Sequence, residues 1–128
     1  MRLLLDTHIF LWYVANDPRL AQAWRQAIRD SRNEVYLSVV SLWEAVIKYH
    51  TGSLPLPEAP VTYFPRQRRM HHILSLSIEE EDVSQVALLP LLHRDPFDRL
   101  LIGQAIQQGL TLVTVDASVQ AYPTAPVL

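Results

Sequence analysis

Four carboxylates in this sequence stand where a divalent cation would be of use. Asp6 follows Leu3-Leu4-Leu5 and Asp116 follows the β-branched run Leu110–Val115, and short apolar runs of this kind form buried strands. In a parallel sheet both acids then lie on the carboxyl edge, where ligands bind in such folds. A carboxylate against a dry core is costly unless positive charge is near. Glu44, within the apolar stretch Leu42–Ile47, and Asp98, just ahead of Leu100-Leu101-Ile102, sit in similar surroundings. Gathered on one edge, the four would repel one another. A hard cation bound through oxygen, Mg²⁺ or Mn²⁺, relieves that repulsion. Each acid also has a plainer role open to it. Asp6 suits the cap of a helix beginning near His8, and Asp116 a turn. Glu44 suits the capping-box partner of Ser41 or an i, i+4 ion pair with Lys48. Asp95, directly before Pro96, reads as an N-cap, which leaves Asp98 as the better ligand of the two.

The elements that must position these acids follow from periodicity. After the first strand, Ile9, Trp12 and Tyr13 mark one helical face. Asn16-Asp17-Pro18 predicts a helix restart running to about Asp30, with Leu20, Trp24 and Ile28 on one side. Val35–Ser38 reads as a second strand. Ser41 is expected to cap the next helix, which runs through His50 and stops at Gly52. Leu54-Pro55-Leu56-Pro57 is a rigid connector, and Pro60 and Pro65 predict that the next segment starts irregularly. Ile73–Ile78 alternates like a third strand. Glu79–Leu89 is a helix with an acidic first turn. Asp95-Pro96 opens another that Gly109 ends, and a last strand, a short helix and a small terminal strand complete the chain. Strands alternating with helical pieces call for a parallel α/β sheet with helices on both faces.

Composition narrows the chemistry. The 128 residues suit a single domain able to bury a core. With no cysteine, disulfides, zinc–thiolate sites and thiol nucleophiles are excluded. A net charge of −2 is unlike that of a passive nucleic-acid coat, which is strongly basic. It is compatible with an acid site whose bound cations the count omits. Of eleven lysines and arginines only Lys48 is lysine. The opening residues do not read as a signal peptide and no run is long enough to span a membrane, so a cytoplasmic location is expected. The aromatics Trp12, Tyr13, Trp24, Trp43 and Tyr49 suit either the core or an interface.

Four segments carry a family likeness: LLLDTHIFLW at 3–12, SVVSLWEAVIK at 38–48, HRDPFDRLLIGQA at 93–105 and LTLVTVD at 110–116. In order and spacing the chain resembles the PIN-domain nucleases, and among them the VapC-type toxins of bacterial toxin–antitoxin pairs. The resemblance implies one PIN-like domain over 1–128. Its fold would be a three-layer α/β/α arrangement around a mostly parallel sheet of four or five short strands. It also implies a Mg²⁺-dependent endoribonuclease, with Mn²⁺ as a substitute, in which Asp6, Glu44, Asp98 and Asp116 are the catalytic metal ligands. Thr7, His8, Ser41, Arg99 and Thr114 stand where such proteins keep polar residues near the metal or substrate. An antitoxin partner and a homodimer are implied as well. The one small departure is Gly103, where similar sequences commonly have alanine and where glycine weakens a helix.

A candidate RNA-contacting stretch is Arg66, Arg68, Arg69, His71 and His72, with a solvated helix face as the alternative. Arginines beside an acid site would offset its repulsion of the RNA backbone. A phosphoryl-accepting receiver domain would want paired acids after the first strand and a lysine after the last, and Asp6-Thr7-His8 with only Lys48 does not supply them. Three glycines, none in a Gly-rich loop after a strand, disfavour a nucleotide-binding module. A PIN-like binding module without catalytic activity remains as the alternative to a nuclease.

Overall fold

The computed structural model describes residues 1–122. Its centre is a four-stranded sheet built from β1 (Arg2–Leu5), β2 (Glu34–Ser38), β3 (Leu74–Leu76) and β4 (Thr111–Val113). The strand order is β3-β2-β1-β4 and every pairing is parallel. The chain steps outward from β1 to β2 to β3, then returns across the sheet to add β4 on the other side of β1. The sheet therefore changes direction between β1 and β4, and it is at such a switch point that a crevice opens over the carboxyl ends of strands.

Alternate side chains of the strands feed two cores. Leu3, Leu5, Val35, Leu37 and Val113 point to one face, where they meet Ile9 and Phe10 of α1 (Thr7–Val14), Ile28 of α2 (Gln22–Arg29) and Phe64 of α4 (Pro60–Met70). Leu4 and Leu112 point to the other, against Leu101, Ile102 and Ala105 of α6 (Pro96–Gln108) and Val119 of α7 (Ala117–Gln120). The helix α3 (Val39–His50) contributes Ala45 to the first core and Val40 to the second. The result is the expected three-layer arrangement, with four strands and no antiparallel pair among the described residues.

Several boundaries differ from the sequence expectation. The second helix starts at Gln22 instead of Pro18. Asn16 takes a left-handed φ of 53°, and the Asp17 carboxylate is engaged by the backbone and guanidinium of Arg19, so Pro18 lies in a turn. Ser38, and not Ser41, caps α3: its hydroxyl accepts from the Val40 N–H at 3.0 Å, because β2 runs straight into the helix. Ser41 is thereby placed inside the helix and fully buried. The region expected to be irregular is the helix α4, with Pro60 at its first turn, where proline costs nothing, and Pro65 inside it. The third and fourth strands are shorter than their apolar runs, and the expected terminal strand lies outside the described residues. Gly52 and Gly109 end α3 and α6 with φ of 77° and 67°, as their positions implied.

The pairing of α5 (Glu80–Leu88) with α6 explains the one family departure. A Cβ on Gly103 would lie 2.8 Å from the Asp82 carbonyl oxygen and 2.9 Å from Val86 Cγ2. The glycine lets two backbones approach, and Asp82, wholly buried, closes the junction by accepting from the Glu79 N–H and from Gln108. Gly103→Ala should therefore destabilise the protein by about 1–2 kcal/mol in urea unfolding, overpacking outweighing the gain of about 1 kcal/mol in helix propensity. A more stable alanine variant would show that α5 yields freely.

Candidate functional site

The carboxyl ends of β1 and β4 open into a cleft of about 410 Å³ lined by Asp6, Glu44, Asp98 and Asp116, together with His8, Trp12, Lys48, His93, Asp95 and Val115. All four acids singled out in the sequence thus face one space, although they come from opposite ends of the chain. Each is held by a different device.

Asp6 leaves the sheet with its N–H bonded to the Val113 carbonyl at 3.0 Å. It caps α1, one oxygen facing the His8 N–H at 3.4 Å. The other oxygen accepts a 2.6 Å hydrogen bond from the Thr114 hydroxyl. That hydroxyl in turn accepts from the Asp116 N–H at 3.1 Å, and the Thr114 carbonyl accepts from Gln120. A single buried threonine therefore sets the relation between the acids that end β1 and β4. Asp116 caps α7 through one oxygen, bonded to the Ser118 N–H. Capping and facing the cleft are combined in both aspartates.

Glu44 is 5% exposed. One oxygen accepts from the Thr7 hydroxyl at 2.8 Å and the other from Lys48 Nζ at 2.6 Å, the i, i+4 pair read from the sequence. Asp98 stands in the first turn of α6, whose N-cap is Asp95: that carboxylate accepts from the N–H groups of Phe97 and Asp98 at 2.9 and 3.1 Å. Asp98 Oδ2 lies 2.7 Å from His93 Nε2. His93 is the cleft residue that sequence reasoning missed. Its signal was its place five residues before Asp98, in the segment that the likeness already covered.

Charge in the cleft is poorly compensated. Burial pushes the Asp98 carboxyl up to about 6, with Asp95, Asp6 and Glu44 adding repulsion and the His93 hydrogen bond acting the other way. Asp6 is raised as well, mainly by burial, against the hydrogen bond from Thr114. His93 is raised chiefly by its hydrogen bond to Asp98, and Lys48 by its bond to Glu44. Two carboxyl groups held above their usual range in one crevice, with Asp98 Oδ1 unspent among the described residues, make a donor set that a hard cation fits.

The other residues named from the sequence fall inside and outside the cleft. Thr7 and Thr114 orient acids, and His8 lines the cleft with its ring edge-on to Trp12. The buried Ser41 hydroxyl has no hydrogen-bond partner among the described residues. Arg99 is turned away from the cleft. Its guanidinium donates to the carbonyls of Pro90 and Val86 and to the Tyr122 hydroxyl, so it is a clamp on the segment before α6. Arg68 and Arg69 line a separate cavity of about 130 Å³ between α4 and the β2–β3 edge, and Arg68 donates to the Ile73 carbonyl. Arg66 pairs with Glu58, and His71 packs edge-on against Tyr13.

Among curated relatives, Ribonuclease VapC22 of Mycobacterium tuberculosis (strain ATCC 25618 / H37Rv) is 28% identical over 120 residues, covering 93% of this chain and 90% of that protein. Ribonuclease VapC16 of the same organism is 38% identical over 66 residues, about half of each chain. The VapBC2 structure from Rickettsia felis, bound to a DNA fragment from their promoter, superposes with a TM-score of 0.74. It covers all of this chain and 98% of that one at 16% identity. DNA-bound VapBC from Salmonella typhimurium gives 0.69, covering all of this chain and 97% of that one at 17% identity. At these identities the structures speak for the fold. The PIN domain model matches residues 3–124, a span that takes in all of the described strands but Arg2 and all four cleft acids, and the chain belongs to the PIN domain family.

Proposed function

We propose that this protein is a VapC-type ribonuclease, the toxin of a toxin–antitoxin pair, and that Asp6, Glu44, Asp98 and Asp116 hold divalent cation in its cleft. The observation that carries the reading is the convergence of these four acids at the β1–β4 switch point, within a chain whose relatives are named ribonucleases. A bound Mg²⁺ would supply the charge that lowers the pKa of a water and offsets negative charge building on a phosphodiester.

The chain's own part is geometry and charge. Thr114 and Thr7 fix the rotation of the Asp6 and Glu44 carboxylates, so that each group is aimed. Lys48 offsets part of the charge on Glu44. In hydrolysis a water oxygen bonds to phosphorus, the bond from phosphorus to the leaving oxygen breaks, and a proton ends on that oxygen. The RNA contacts assigned to Arg68 and Arg69 rest on long-range charge, because they lie outside the cleft. His8 is the named polar residue that lines it and is free to meet a phosphate.

A groove lined by Leu11, Trp12, Leu54, Leu56 and Tyr63 shares His8 and Trp12 with the acid cleft. It suits the apolar tail of an antitoxin, placed to present a basic side chain to the acids. Val39, Trp43 and Ile47 form an exposed apolar stripe at i, i+4 spacing on α3, suited to a homodimer. No helix of the described residues is long and apolar enough to cross a membrane.

Asp6→Asn and Asp98→Asn, and chelation with EDTA, are each expected to lower RNA cleavage in Mg²⁺ by at least about 100-fold, since metal-ion catalysis is worth several kcal/mol. Cleavage that survives chelation or either substitution would end the metal–carboxylate reading. A proton and a cation compete for Asp98, so calorimetric Mn²⁺ affinity should fall as the pH drops through about 6, by up to about tenfold per pH unit. Reversing charge at Arg68 and Arg69 should lower the slope of log affinity against log salt by roughly one for each phosphate that is no longer neutralised. An unchanged slope removes the pair from the RNA-binding surface.

A further inference from the structure

An all-oxygen cation site has no use for a histidine, yet one is built into this cleft. His93 Nε2 lies 2.7 Å from Asp98 Oδ2. One ligand atom each from His93, Asp98 and Asp116 fall within 4.8 Å of one another. Two ligands on opposite sides of a cation at about 2.2 Å are separated by about 4.4 Å, and adjacent ones by about 3 Å, so the three groups stand within the span that one ion bridges. The backbone that carries the imidazole is fixed. The N–H groups of Leu92 and His93 both donate to the Tyr122 hydroxyl, at 3.1 and 2.7 Å, and Arg99 binds that same hydroxyl and the Pro90 carbonyl. Tyr122 is itself buried. These bonds hold a segment whose one contribution to the cleft, ahead of the Asp95 cap, is His93.

We propose that His93 is a nitrogen ligand to a cation at the Asp98–Asp116 end of the cleft, and that this end therefore prefers Mn²⁺ to Mg²⁺. The inference rests on the metal reading above and adds a donor and a selectivity to it. Imidazole is a good ligand for transition ions, whereas Mg²⁺ takes oxygen and keeps its waters. The Asp6–Glu44 end, whose donors are oxygens alone, has no such preference. The other imidazole at the cleft, His8, packs edge-on against Trp12 and does not belong to the three-residue cluster.

The test uses the full chain loaded with Mn²⁺. Pulsed electron paramagnetic resonance of the wild type should show nitrogen-14 modulation from a directly bound imidazole. His93→Gln should abolish that modulation and His8→Gln should keep it. By calorimetry His93→Gln should weaken Mn²⁺ binding by roughly ten- to a hundred-fold, the range that loss of metal-site partners produces, while Mg²⁺ binding changes less than about threefold. Bound Mn²⁺ without nitrogen modulation in the wild type overturns the proposal and leaves the carboxylate site standing. So does modulation that persists in His93→Gln, or an equal loss for both ions, which is the pattern expected if His93 only orients Asp98. A wild type that binds neither ion overturns both readings.

Discussion

Like charges gather only where something holds them, and in this protein the holding is done by the sheet edge. β1 and β4 lie side by side and parallel, so their ends deliver Asp6 and Asp116 to one place with no choice in the matter. α3 and α6 then bring Glu44 and Asp98 up to the same crevice from flanking layers. Burial first, and their mutual repulsion second, raise the Asp98 and Asp6 carboxyl groups. The repulsion is tolerated because the two hydrophobic cores on either side of the sheet fix the strands independently of the acids. Stability resides in the layers and strain in the crevice, the division expected where a site must stay ready for a ligand.

The polar groups around the crevice divide into two kinds. Thr7, Thr114 and Lys48 spend their hydrogen bonds on acids, and their geometry sets how those carboxylates are turned. Arg99, Tyr122 and the Asp95 cap act one step back, on the backbone that leads into α6. That second group makes the entry to α6 rigid, so the positions of His93 and Asp98 relative to each other are a property of the fold and not of side-chain rotation alone. The Gly103 junction behind them does the same for the helix body, by letting α5 lie close enough to lock α6 in place.

Much of this was legible in the sequence, for local reasons. The strand cores Leu3–Leu5 and Val35–Leu37, the Asp95-Pro96 start, the Gly52 and Gly109 stops and the Glu44–Lys48 pair are all short-range signals, and the structure has each of them. Parallel pairing accounts for Asp6 and Asp116 sharing one edge, while the Thr114 hydroxyl sets their relation within it. Where the sequence misled, a longer-range effect decided. Ser41 matched a capping box, but β2 continued into α3 without a break and made Ser38 the cap. Pro60 and Pro65 read as breakers, yet burial of Tyr63 and Phe64 holds α4 around them. His93 had no periodic signature at all, because its position depends on Tyr122, twenty-nine residues downstream.

The hydrogen bond from Thr114 to Asp6 spans 108 positions of the chain, and it has a consequence for timing. Synthesis runs from the amino terminus, and β1, β2 and β3 are all made well before β4. Until the residues through Asp116 have left the ribosome, Asp6 has neither its threonine nor its neighbouring acid, and the crevice has only one wall at the switch point. On the function proposed above, the site that would cut RNA is thus the last part of the fold to be completed. On that reading the nascent chain would stay harmless to the message that encodes it until Asp116 has emerged.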